Sequence, residues 1–192
     1  PGGSYHGYIE SYGKKFVYNK LVEQLSIDTH PIERVDDHLV GFIPYLVCKE
    51  LKLPLDKAWA LAQVFTSDKT YQQFYILFDS LIEHLKSMSM KHALKQIAAL
   101  SPKDYLEDLN YAIEMSDTKS FIMNHSGTDC HIHHSIPLIF HILSHTSSFE
   151  EAVKLNVKIG GASCDRGMLI GAIYSQVSSI PEEWLNLTNL KI

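Results

Sequence analysis

The sequence has little of what marks out secreted, membrane or nucleic-acid-binding chains. Cysteine is scarce: Cys48, Cys130 and Cys164 are an odd number, widely spaced, with no Cys-x-x-Cys pair. A disulfide framework is therefore not expected, and a reducing, cytoplasmic setting is. Long apolar runs are missing. A bilayer span takes about 20 consecutive apolar residues, whereas the longest candidate runs from Leu39 to Cys48 and contains Pro44. No membrane association is expected. The opening Pro1-Gly2-Gly3-Ser4 has neither the basic nor the apolar region of a secretory signal. It also lacks an initiator Met, so a preceding portion is expected to be missing. Basic residues are in deficit, 17 against 22 acidic, for a formal net charge of −5. A phosphate backbone needs a basic stripe, so nucleic acid is not expected as a partner. No period of 20–50 residues repeats, and no alternating apolar run is bounded by turn signals.

What remains is a globular composition: 192 residues, 45% hydrophobic and 20% charged. A chain of this length buries roughly 70% of its unfolded surface, enough for one core without staples. Residues 1–192 read as a single all-α domain.

Helical spacing dominates. Ile9, Tyr12, Phe16, Val17, Leu21 and Leu25 fall in steps that build one stripe on a helix over 6–25. Residues 35–51 read as a buried helix that Pro44 kinks or restarts. Further helices are expected over 55–66 behind Pro54, over 70–87 and over 91–100. Ser101 reads as an N-cap with Pro102 at the first helical position, for a helix reaching about Met115. A buried helix over 135–145 would carry Pro137 in its first turn. Ser148-Phe149-Glu150-Glu151 is a capping-box pattern, opening a helix that Gly160-Gly161 stops. Residues 165–177 and a short turn with Trp184 and Leu187 complete the set.

Two segments fit a plain core poorly. One runs from Asn124 to Pro137 and holds Asp129, Cys130, His131, His133 and His134; the other runs from Gly160 to Gly171. The first invites a zinc reading, completed by His141 and His145 at i, i+4. Cys130 has no partner Cys nearby, however, and no Glu follows His141 as a metalloprotease motif requires. A nucleophilic Cys is the second reading, but sequence neighbours are not spatial neighbours, and Asp165 beside Cys164 would raise the thiol pKa. Gly160-Gly161 either cradles a phosphate at a helix start or caps and links two helices; the cap is the stronger reading. Arg166 is open to a carboxylate partner or a diphosphate. Asp36 and Asp37 open an apolar helix, where negative charge is favoured by about 0.3–1 kcal/mol.

The run from Gly160 to Ala172, Gly-Gly-Ala-Ser-Cys-Asp-Arg-Gly-Met-Leu-Ile-Gly-Ala, is followed by Ile180-Pro181 and Trp184. It resembles the C-terminal signature of the ADP-ribosylglycohydrolase family, most closely the divergent branch that includes the J-type crystallins. Cys130-His131 with Pro137, Ser148 to Val153 with Asn156, and Arg34-Val35-Asp36-Asp37-His38 are similar to the same branch. So are Gly7-Tyr8, Lys15-Phe16 and Asn19. The resemblance covers nearly the whole chain but only the central and C-terminal portions of the family.

That resemblance implies an all-α fold, a binuclear magnesium site and hydrolysis of the glycosidic bond to ADP-ribose, with ADP-ribose or an ADP-ribosylated substrate as partner. It implies metal-binding and catalytic roles for Asp36 and Asp37, a metal contact at Asp165, and substrate contacts at Cys130, His131, Gly161 and Ser163. Two departures follow. The family's N-terminal acidic motif is absent from the sequence, and Ala162 stands at the first metal aspartate of Gly-Gly-Asp-x-Asp-Thr. Cys164 falls at the second aspartate, as is usual in the branch, and Asp165 at the hydroxyl position. A methyl cannot bind a hard cation. The expectation is a weakened or lost hydrolase, with a non-catalytic, crystallin-like binding or structural protein as the alternative.

Overall fold

The computed structural model describes residues 39–63, 66 and 68–188. The expected helix over 6–25, the start of the one over 35–51, and Asp36 and Asp37 lie outside the described residues. The chain divides into two compact units, residues 1–71 and 72–192.

In the first unit, a 3₁₀ turn at Leu39–Phe42 leads into α1, Ile43–Glu50. Pro44 lies in the first turn of α1, where a missing amide leaves no bond unmade. Of the two outcomes open to this proline, a fresh helix start is the one found. At the far end Lys52 takes a φ of 54°, and Leu53 N–H donates to the Cys48 carbonyl at 2.8 Å, closing the helix. Pro54 then stands at the N-cap of α2, Leu55–Ala62, four residues shorter than the spacing predicts. Leu39, Phe42, Tyr45, Cys48, Ala58 and Ala62 are buried.

The second unit takes in α3, Thr70–His84, from Gln72 onward. It continues with α4, Met90–Ala99, and α5, Lys103–Glu114. A short helix α6, Thr118–Phe121, runs into a π-helical turn at Ile122–Ser126. Then come α7, Ile132–Ser144, α8, Phe149–Ile159, α9, Ser163–Tyr174, and α10, Glu182–Asn186. There is no strand among the described residues, so the all-α class holds.

The core of this unit is built around α7. Ile132, Ile136, Leu138, Ile139, Phe140, Ile142 and Leu143 are all buried, and α4, α5, α8 and α9 pack against the helix. Burying each such side chain is worth about 1.5–3 kcal/mol. Aromatic contacts join neighbouring elements: Phe74 meets Tyr105 edge-on at 4.8 Å, and Phe78 lies 6.5 Å from Phe140.

Several starts differ from the sequence reading; α9, for one, begins at Ser163, two residues early. The Ser101 hydroxyl donates back to the Ala98 carbonyl, finishing α4, and Pro102 takes the N-cap of α5. α7 begins at Ile132, three residues early, so Pro137 lies inside it. The early start follows from His131, whose Nδ1 accepts the His133 N–H at 3.3 Å and caps the first turn. Finally, α6 was not expected at all. Its cap is Asp117, which accepts from Lys119 N–H at 3.1 Å and from the Ser120 hydroxyl at 2.6 Å. A four-residue helix is too short to show periodicity.

Candidate functional site

The two odd segments of the sequence meet in the second unit. α8 ends at Ile159, and Gly160, at φ 76°, donates its N–H to the Asn156 carbonyl at 3.3 Å. Gly161 follows at φ 64°, and Ala162 is the N-cap of α9. The Gly-Gly pair is thus a helix cap and link. It also permits close approach: a Cβ on Gly161 would lie 2.1 Å from the Thr128 carbonyl oxygen.

That carbonyl is a shared acceptor. Thr128 O takes the Ala162 N–H at 2.9 Å and the Arg166 Nη1 donor at 3.0 Å. Arg166 is fully buried. Its Nε donates to Asn156 Oδ1 at 3.1 Å and its Nη2 to the Gly160 carbonyl. Asn156, also buried, completes the frame by donating Nδ2 to the Ser163 carbonyl at 2.7 Å. Among the described residues, Arg166 thus donates to backbone and side-chain amide oxygens.

On the other loop, Asp129 organises the start of α7. Its Oδ1 accepts the His131 N–H at 2.9 Å, its Oδ2 pairs with His134 Nδ1 at 2.8 Å, and its carbonyl accepts the Ser135 hydroxyl at 2.6 Å. The His133 ring stacks on Tyr105 at 4.5 Å and lies 5.3 Å from that of His131. The histidines here cap, pair and stack.

His141 is committed elsewhere. It is fully buried, with Nδ1 at 3.1 Å from the Ala112 carbonyl and Nε2 at 2.9 Å from the Thr118 hydroxyl. A carbonyl only accepts, so Nδ1 carries the proton and Nε2 accepts from Thr118. Burial, reinforced by His145, pushes the His141 pKa down to about 4. Burial and then the Lys91 ammonium hold His145 below its ordinary value as well, against Glu114.

The structure places the expected site residues as follows. Cys130 and His131 are half-buried beside Thr128, Gly161 is exposed, and Ser163 and Asp165 are half-buried in the first turn of α9. Cys164 is exposed, and none of the three cysteines is in a disulfide. Thr128 O ties the two loops together, so Cys130 and His131 and the Gly161 to Asp165 run belong to one corner. Asp36 and Asp37 lie outside the described residues. Thr128 was missed because it acts through its carbonyl, which leaves no trace in residue type.

A hard divalent ion needs several oxygen donors. Ala162 is almost fully buried and offers none. Among the described residues no group of three or more His, Cys, Asp or Glu side chains could hold a metal ion. On their own they do not fit a binuclear magnesium centre, nor do they supply a zinc site.

A family model described as ADP-ribosylglycohydrolase matches residues 51–190. The match takes in both loops and begins after Asp36 and Asp37. The chain belongs to the ADP-ribosylglycohydrolase family. No curated protein and no solved structure matches it. Among the described residues no helix is long and apolar enough to cross a membrane.

Proposed function

We propose that this protein binds ADP-ribose, free or carried on an acceptor, and hydrolyses its glycosidic bond slowly. The observation that supports this most is the corner where the 128–131 loop and the 160–165 loop share the Thr128 carbonyl, within the span matched by the family model. Cys130, His131, Gly161 and Ser163 are the assigned substrate contacts. Asp36 and Asp37 are the assigned catalytic residues, and with Asp165 they are assigned to magnesium, on carboxylate chemistry alone. The slowness follows from Ala162, which stands where the resemblance implies a metal aspartate. Placement in the crystallin-like branch, and in the cytoplasm, is part of the same proposal.

A second reading is favoured by the same alanine: a scaffold that holds ADP-ribose, or serves structurally, without turnover. Turnover of an ADP-ribosylated substrate, with magnesium or with chelator, separates the two when run beside calorimetry with ADP-ribose. Slow turnover abolished by chelator and by Asp36→Ala is the expected result. Micromolar binding with no turnover gives the second reading. Robust turnover indifferent to both changes removes the metal assignment.

A further inference from the structure

We propose that Arg166 is a positioning residue, which holds the 128–131 loop against the 160–163 loop so that the ligand contacts on both stay in register. The proposal rests on the ADP-ribose reading for the meaning of those contacts. Its own basis is geometric.

Three donors of one rigid guanidinium reach three oxygens on two separate stretches of chain: Nη1 to Thr128 O on one loop, and Nη2 to Gly160 O and Nε to Asn156 Oδ1 at the end of α8. The longest of these links joins residues 38 positions apart. The planar fork of Arg fixes the angles between its bonds, which a flexible ammonium does not. Asn156 extends the frame to the Ser163 carbonyl, at the first turn of α9. Burying a guanidinium is expensive, and an apolar side chain of similar volume often packs as well or better. An Arg fully buried here is therefore poorly explained by stability alone. Register explains it: if the fork relaxes, Thr128 O is free to part from the Ala162 N–H, and the two loops move independently. Arg166 acts through the two loops and is assigned no ligand contact of its own.

The test uses the full chain and the variants Arg166→Lys and Arg166→Met. Hydrogen exchange of the Ala162 amide reports the inter-loop bond, and amides within α4 report the unit as a whole. Alkylation of half-buried Cys130 is a second local readout. In both variants Ala162 exchange and Cys130 alkylation are expected to rise about tenfold or more relative to α4 amides, and affinity for ADP-ribose to fall about tenfold, a change of about 1.4 kcal/mol. A rise shared equally by α4 amides, or no local rise, overturns the proposal and leaves Arg166 an ordinary core residue. If both variants fail to fold, Asn156→Ala, which removes one acceptor of Arg166 and the donor to Ser163 O, is judged by the same local ratio. Should the wild type bind no ADP-ribose, the functional reading fails, while the exchange and alkylation arms still decide the role of Arg166.

Discussion

Gly161→Ala is expected to lose about 3 kcal/mol or more of folding stability. An L-residue in the left-handed region costs roughly 1–2 kcal/mol. Overpacking adds roughly 1–3 kcal/mol. Both penalties apply here: φ is 64°, and the new Cβ would lie 2.1 Å from the Thr128 oxygen and 2.7 Å from the Thr128 Cβ. The close atom is backbone, and the same oxygen accepts from Ala162 and Arg166, so it cannot retreat without loosening two bonds. Gly160→Ala is the control. Its φ of 76° and ψ of −153° put it in a region essentially reserved for glycine, but nothing lies within 4 Å of a Cβ placed there, so only the dihedral penalty of about 1–3 kcal/mol applies. Urea denaturation of the two variants measures the difference. Equal losses would show that the approach to Thr128 is not tight.

Acid sensitivity with a histidine signature is the second large effect. In the folded chain His141 titrates at about 4, against 6.5 ordinarily. Between these values the unfolded chain binds the proton and the folded chain does not, so stability rises with pH across that window. It is complete above 6.5 and is lost as pH falls toward 4. The loss is about 1.4 kcal/mol per pH unit, or about 3 kcal/mol across the window. His145 is shifted the same way and adds to the slope. Glu114, Asp117 and Glu151 are held below the ordinary carboxylate range, chiefly by hydrogen bonds from Lys95, Ser120 and Ser147. Their contribution is present above that range and lost as pH falls through their lowered values. Urea midpoints at pH 7.5, 5.5 and 4.5 give the slope, and His141→Gln is expected to flatten it. A His141 ring resonance titrating at or above 6.5 would contradict the burial argument.

Local chemistry was legible where a single residue decides an outcome. Ser148 caps α8 by accepting the Glu151 N–H at 3.2 Å, as the Ser-x-x-Glu spacing predicts. The Glu151 carboxylate departs from the expected box by accepting from Ser147 N–H at 2.8 Å. Gly160 stops that helix, and Pro54 and Pro44 mark starts. The interior Pro137 was misplaced because a side-chain cap by His131 has no strong sequence signature. Of the candidate site, the two segments stood out by composition alone. Their meeting did not, because it runs through the carbonyl oxygen of Thr128, and backbone oxygens are the same at every position. The histidine-rich stretch suggested a metal because residue type is visible and orientation is not; Asp129 and Tyr105 take up those rings.

Amide chemical-shift mapping of the isotopically labelled chain during titration with ADP-ribose tests the proposed ligand corner most directly. Saturable shifts concentrated at Cys130, His131, Gly161 and Ser163, moving together with one affinity, are the predicted result. Saturable binding that leaves those four amides still, or no binding at millimolar ADP-ribose, would contradict it.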